Sequence, residues 1–217
     1  SVNTARFAIA FLISPDLGTD HRIRRFCRGI YNLRPSAPRY DSTWDPSQVL
    51  SYLETLVPNE SIPLSLLTEK LAMLFALVTA HRMQTLSLIE VKNIEQREDG
   101  VEIKIPHRVK TSRRGAKQPS LILPLFVENR AICAATTLMC YLRRTEDHRG
   151  STSKLFLTYK RPYREASTQT LSRWVKSALG KSGIDTNSFS AHSTRHAAAS
   201  AASRGGVSLD TIRSTAG

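Results

Sequence analysis

Residues 188–206 read SFSAHSTRHAAASAASRGG, a run of alanine and serine that opens with His192, Arg195 and His196. Small side chains at this density predict a thin helix that packs closely against its neighbours, and the closing pair of glycines predicts its end. Cations are unfavourable near the positive N-terminal end of a helix. Their presence in the first turn therefore indicates an anionic ligand nearby.

The whole chain is strongly basic, with 31 lysines and arginines against 18 acidic residues among 217, a net charge of +13. Its 41% hydrophobic and 23% charged residues are typical of a core-forming domain. Such an excess of positive charge indicates a polyanionic partner, most often nucleic acid. No stretch of about 18 apolar residues predicts a membrane span. The three cysteines form no C-x-x-C pair, which predicts free thiols rather than disulfides.

Hydrophobic periodicity predicts a mainly α-helical chain with a small antiparallel β-sheet, an α+β fold. The predicted helices lie within residues 1–33, from Pro46, before Ala80, over 127–144, from Ser167 to Gly180, over 191–206 and from Ser208. Strands are predicted in VEIKIPHRV (101–109), SLILPLF (120–126) and SKLFLTY (153–159). The first two form a hairpin, and Lys104–Lys117 contains six basic residues and no acid.

Three kinds of site compete for these residues. His192 and His196 lie one helical turn apart, but Ser193 stands where a zinc-protease motif needs glutamate, so no metal is predicted. The corner within residues 196–217 fits a DNA-binding helix-turn-helix, a weak signal alone. A third interpretation places Arg82, the basic hairpin, His192 and Arg195 around a phosphate undergoing transfer.

Arg82 also has a purely structural interpretation. It interrupts an apolar run, and a buried arginine needs a partner, so it could pair with a buried carboxylate such as Glu90. Both interpretations of Arg82 remain open at this point.

Two motifs and the basic hairpin between them resemble the tyrosine recombinases, the phage-integrase-like enzymes that break and join DNA. The motifs are TAHRMQTLSL (79–88) and AHSTRHAAASAASRGGVSLDTIRSTAG (191–217). The wording is most similar to recombinases of eukaryotic mobile elements, the Crypton and DIRS-type groups. The resemblance implies a catalytic domain over 46–217, a linker at 34–45, and the C-terminal helices of a core-binding domain at 1–33.

The resemblance also implies roles for individual residues. Arg82 and Arg195 would hold the non-bridging phosphate oxygens, and His192 would assist proton transfer at the nucleophile. Lys110 would protonate the leaving 5′-oxygen, with Lys104 and Lys117 as alternatives. No metal or other cofactor is implied. Further residues predicted to contact DNA are Arg22, Arg25, Arg28, Arg108, Arg113, Arg114, Lys117 and Arg173.

The implied partner is double-stranded DNA, bound by a homodimer or tetramer in the nucleus. No interaction with a membrane is expected. Two departures stand against the family pattern. Thr85 occupies the position where many members carry an acid. The family's nucleophilic tyrosine is expected beyond Gly217, so the catalytic domain is expected to be truncated before it.

The tyrosines of the sequence all precede His192: Tyr31, Tyr40, Tyr52, Tyr141, Tyr159 and Tyr163. Two functions therefore remain open. One is a recombinase that cuts and rejoins DNA through a 3′-phosphotyrosyl intermediate, and the other is a DNA-binding module without cleavage.

Overall fold

The computed structural model describes residues 2–35, 40, 42–109, 112 and 118–216. The chain divides into two compact units, Ser1–Asp41 and Ser42–Gly217. The first unit contains the two predicted helices, α1 (Val2–Leu12) and α2 (His21–Leu33), joined through a 3₁₀ turn at Pro15–Gly18. The three arginines that α2 contributes to the predicted DNA contacts are exposed: Arg22, Arg25 and Arg28.

The second unit is mainly helical and contains one small sheet. Its elements are α3 (Pro46–Glu54), α4 (Leu64–Thr79), α5 (Met83–Ser87), β1 (Ile94–Arg97), β2 (Gly100–Lys104), β3 (Ser120–Pro124), α6 (Ala134–Thr145), α7 (Thr168–Lys181), α8 (Ser193–Arg204) and α9 (Leu209–Ala216). The strands form an antiparallel sheet in the order β1–β2–β3. The predicted α+β fold class is confirmed.

The predicted hairpin corresponds to β2 and β3. Val101 pairs with Leu123 and Ile103 with Leu121, and all four side chains are buried. The alternation of apolar and polar residues in both strands made this pairing predictable. β1 carries no such signal because only its first side chain is even half-buried and the other three are exposed.

α4 is the central helix of the second unit and packs against α6, α7 and α8. Its polar Thr68 and Lys70 are buried along with its apolar residues. The Lys70 ammonium donates to the carbonyl oxygen of Leu56 at 2.6 Å and to Asn59 Oδ1 at 2.9 Å. These bonds tie the α3–α4 connection to the central helix and offset part of the cost of burying a charge.

The structure corrects two predicted helix boundaries and one predicted strand. α6 begins at Ala134 rather than at residue 127, with the Cys133 sulfur accepting from the Thr136 N–H at 3.5 Å. Residues 153–159 form no extended strand and make single bridges, Glu90 with Lys154 and Leu157 with Glu165. α7 runs through Gly180, and the left-handed turn falls at Gly183, with φ of +83°.

The alanine-rich helix predicted from the opening stretch is α8, and its first turn is firmly held. Ala197 is fully buried, and α8 packs against α4 and α3. The Ser193 hydroxyl accepts from Trp44 Nε1 at 2.9 Å and donates to the carbonyl oxygen of Ser190 at 2.7 Å. Trp44 lies in the segment predicted as a linker and is buried in the core of the second unit. The start of α8 is thus fixed from both sides.

Candidate active site

Arg82 is placed by a sharp turn at the end of α4. Ala80 has a φ of +49°, a left-handed conformation that costs a residue with a side chain about 1 kcal/mol. Beyond this turn, Arg82 takes an extended conformation and occupies the N-cap position of α5. The half-buried Arg82 therefore starts a new helix instead of continuing α4.

His192 and Arg195 are placed by the first turn of α8. His192 holds the N-cap position and is exposed, whereas Arg195 is half-buried one turn further along. The His192 and His196 rings meet edge to face with their centroids 5.5 Å apart. The described residues contain no cluster of histidine, cysteine and carboxylate groups suited to a metal ion.

A pocket of about 320 Å³ brings together three of the four predicted catalytic residues, Arg82, His192 and Arg195. Its lining combines α5, the start of α7 and the start of α8: His81, Arg82, Met83, Gln84, Thr168, Ser172, Ala191, His192 and Arg195. Two guanidinium groups and two imidazoles contribute to this site, and the residues described in its lining include no carboxylate. Burial and then the positive charge of Arg82 lower the pKa of Arg195. The pocket therefore concentrates positive charge at the N-terminus of a 12-residue helix, which favours an anion.

Glu90, the carboxylate offered as a structural partner for Arg82, is held by other basic side chains. Its carboxylate accepts from Lys154 at 3.0 Å, Lys92 at 3.1 Å and His107 at 3.0 Å. These hydrogen bonds, the one from Lys154 foremost, lower the pKa of Glu90 to about 2. Because His107 follows β2, Glu90 anchors the chain where it enters the basic hairpin.

Glu90→Gln is expected to lower the free energy of unfolding by about 2 kcal/mol at pH 7. The folded pKa of about 2 lies below the ordinary 4.5, so the stabilisation is present above pH 4.5 and is lost as pH falls toward 2. Urea unfolding of both proteins from pH 2 to 7 measures this difference. Glu95→Gln is the control, since Glu95 forms only an exposed pair with Lys104. Parallel pH profiles for wild type and Glu90→Gln would contradict the assigned role.

Of the remaining residues predicted to contact DNA in the second unit, only two belong to its described part. Arg108 and Arg173 are exposed in the second unit. Lys110, Arg113, Arg114 and Lys117 lie outside the described residues. The described part of the hairpin is nevertheless tied together, since Ser112 donates its N–H to the Val109 carbonyl at 2.9 Å and its hydroxyl to Gln118 Oε1 at 2.8 Å.

Sequence reasoning missed several residues of the pocket lining. His81 had no predicted role beyond interrupting an apolar run. Gln84, two positions after Arg82, was not predicted as a site residue. Thr168 and Ser172 lie one turn apart at the start of α7. The Thr168 hydroxyl forms a hydrogen bond with Ser87 Oγ at 3.0 Å, and the Ser172 hydroxyl donates to the Thr168 carbonyl oxygen at 2.9 Å. The i, i+4 spacing on α7 is the signal that could have identified this pair.

Two further features concern the cysteines and the length of the helices. Cys27, Cys133 and Cys140 are free thiols. None of the described helices is long and apolar enough to cross a membrane.

Comparison with known proteins gives both a family and a fold. The phage integrase family matches residues 47–217. No curated protein sequence matches the chain. Among solved structures, the fold is similar to XerH site-specific recombinase bound to difH substrate, with a TM-score of 0.60 at 15% identity over 82% of this chain and 47% of that one.

Two further structures share the fold. XerA recombinase matches with a TM-score of 0.57 at 18% identity over 86% of this chain and 58% of that one. A lambda integrase(75-356) dimer bound to a COC′ core site matches with a TM-score of 0.57 at 18% identity, over 100% of this chain and 69% of that one. The chain thus spans about half the length of the XerH and XerA chains. These structures show the fold, and the family match over most of the sequence shows that the protein belongs to the phage integrase family.

Proposed function

We propose that the protein is the catalytic part of a tyrosine recombinase, which cuts and rejoins DNA strands through a 3′-phosphotyrosyl intermediate. The observation that carries this proposal is the pocket that joins Arg82, His192 and Arg195 without a carboxylate in its lining. Guanidinium forks match the geometry of phosphate oxygens and stabilise the charge that develops on them during transfer. The net charge of +13 supports duplex DNA as the partner.

Each residue has a defined part in the proposed reaction. A tyrosine hydroxyl attacks the scissile phosphorus, so that an O–P bond to the protein forms while the P–O5′ bond breaks. Arg82 and Arg195 hold the non-bridging oxygens, His192 takes the tyrosine proton, and Lys110 gives a proton to the departing 5′-oxygen. Attack by the 5′-hydroxyl of another strand reverses these steps and exchanges the strands.

The nucleophile is proposed to be a tyrosine outside residues 1–217. The tyrosines of the second unit, Tyr52, Tyr141, Tyr159 and Tyr163, are not among the described residues that line the pocket. Tyr141 is buried and its hydroxyl accepts from the Leu157 N–H at 3.0 Å. Tyr159 packs beside Trp174 and Tyr163 stacks on His148.

The finer parts of the proposal concern origin and assembly. The resemblance of the motifs to Crypton and DIRS-type enzymes supports a eukaryotic mobile element acting in the nucleus. Lambda integrase occurs as a dimer bound to a core site and as a tetramer bound to a Holliday junction. We therefore propose a dimer or tetramer on DNA, with Arg22, Arg25, Arg28, Arg108, Arg113, Arg114, Lys117 and Arg173 contacting the duplex.

The proposal can be tested without the missing nucleophile. A nicked duplex carries a 3′-p-nitrophenyl phosphodiester that faces a 5′-hydroxyl, so the aryl ester stands in for the phosphotyrosyl link. Attack by the 5′-hydroxyl forms the O5′–P bond, breaks the P–O aryl bond and releases p-nitrophenolate. Wild-type protein at low salt, where phosphate contacts alone give binding, is expected to accelerate both release and joining.

The alternative is a DNA-binding module without cleavage, which the net charge of +13 supports equally. The joining reaction separates the two functions because both predict binding of the nicked duplex. Binding without any acceleration of joining would support the module and contradict the recombinase.

A further inference from the structure

His81 is a pocket residue to which the family pattern gives no role. It lies between α4 and α5 and is only 6% exposed. Its Nδ1 is 2.9 Å from the carbonyl oxygen of Thr79. A carbonyl oxygen can only accept, so Nδ1 carries the proton of this bond and Nε2 carries the lone pair of a neutral imidazole.

Nε2 is a buried hydrogen-bond acceptor that has no donor among the described residues. A buried polar atom without a hydrogen-bond partner destabilises the folded protein, so it needs an explanation. Burial, followed by the charges of Arg195 and Arg82, lowers the pKa of His81. Protonation of Nε2 would place a third positive charge beside the two guanidinium groups, and the lining offers no carboxylate to offset it.

The chemistry of the pocket limits what can supply the missing donor. A phosphodiester anion offers acceptors only, so it cannot donate to Nε2. Among the donors of the described lining, the guanidiniums of Arg82 and Arg195 are the ones expected to turn toward a bound phosphate. Arg195 lies in the first turn of α8, which packs against α4, the helix that ends just before His81. The positive charge of Arg195 also contributes to the lowered pKa of His81.

We infer that His81 is a positioning residue, which accepts a hydrogen bond at Nε2 from the Arg195 guanidinium when a phosphate occupies the pocket. This inference rests on the proposed function. A guanidinium has five N–H donors in a fixed fork, so one can be held by the protein while others bind the phosphate. A neutral acceptor holds the guanidinium fork in place and leaves its positive charge intact. A carboxylate in the same position would offset that charge. Thr85, which occupies the position of the family's acid, is buried and carries no charge.

Two substitutions separate the two nitrogens of His81. His81→Asn retains a donor at the position of Nδ1 and removes the acceptor at Nε2. His81→Gln places an amide oxygen at the position of Nε2 and removes the bond to the Thr79 carbonyl. The nicked p-nitrophenyl duplex is the probe, and the free energy of unfolding of each variant is measured in urea.

The two variants are expected to rank in opposite orders for the two properties. His81→Asn should join at least about tenfold more slowly than wild type, the effect of losing a hydrogen bond to a charged group. His81→Gln should join within about threefold of wild type, although it is the less stable variant because it loses the bond within the turn. A joining rate for His81→Asn equal to or above that of His81→Gln would overturn the inference, since a purely structural histidine follows the order of stability.

Failure of the inference is distinguishable from failure of the proposed function. If wild-type protein joins the strands and Arg195→Ala does not, while His81→Asn joins at the wild-type rate, only the role of His81 is wrong. If wild-type protein does not accelerate joining at all, the proposed function itself fails.

Discussion

Arg195→Ala is expected to slow joining of the nicked p-nitrophenyl duplex by about 10²–10³-fold, the usual effect of removing one donor to a developing oxyanion. Arg195 lines the pocket together with Arg82 and His192 and is half-buried. Weak exposure to water strengthens each of its interactions with phosphate. Rates of p-nitrophenolate release under single-turnover conditions measure the effect.

Two control variants isolate the role of the guanidinium. Arg195→Lys keeps the charge but not the planar fork, so joining should remain at least about tenfold slower than in wild type. Arg173→Ala removes an exposed arginine from α7, the helix that supplies Thr168 and Ser172 to the pocket. It should weaken duplex binding without lowering the joining rate at saturation. Equal losses for Arg195→Ala and Arg173→Ala at saturation would contradict the assignment.

Binding provides a second view of the same residue. Arg195→Ala should weaken binding to a nicked duplex with a 3′-phosphate more than binding to a random intact duplex, because the terminal phosphate carries an additional negative charge for the pocket. A random duplex, in contrast, is bound at many positions by general positive charge. An equal loss of affinity for both DNAs would mean that Arg195 contributes general positive charge rather than a specific contact.

Local sequence patterns were sufficient to predict the three charged residues of the pocket. His192 and Arg195 share the first turn of a helix whose alanine body and closing glycines are visible in the sequence. Arg82 follows a long apolar run that ends at a recognisable break. In both places a change in pattern coincides with a helix end, and helix ends are where the structure places the site.

Contacts between distant segments could not be predicted in this way. The role of His81 depends on a bond to the Thr79 carbonyl and on burial by other elements, neither of which leaves a periodic signal. Glu90 finds its partners in His107 and Lys154, which belong to separate loops. The left-handed conformation of Ala80 also leaves no signal in the sequence, since glycine is the residue that normally indicates such a turn.

His192→Ala is expected to give an effect that depends on the leaving group. His192 is proposed to serve the tyrosine oxygen, whose place the aryl oxygen takes in the nicked substrate. p-Nitrophenolate leaves without protonation, so this substrate should lose less than about threefold in joining rate. An unsubstituted phenyl ester has a leaving group as basic as tyrosine, with a pKa of about 10, and should lose about 10²-fold.

Lys110→Ala provides the matched comparison because Lys110 is proposed to serve the 5′-oxygen at the opposite side of the phosphorus. The 5′-oxygen is the same in both substrates, so removal of the Lys110 side chain should slow joining of the phenyl and p-nitrophenyl esters by similar factors. The ratio of the two rates therefore reports which oxygen each residue serves, independently of any general loss of binding or stability. An unchanged ratio in His192→Ala would mean that His192 does not serve the aryl oxygen. A shifted ratio in Lys110→Ala instead would mean that the two proton-transfer roles are exchanged. Either result leaves the phosphate-binding role of the arginines intact.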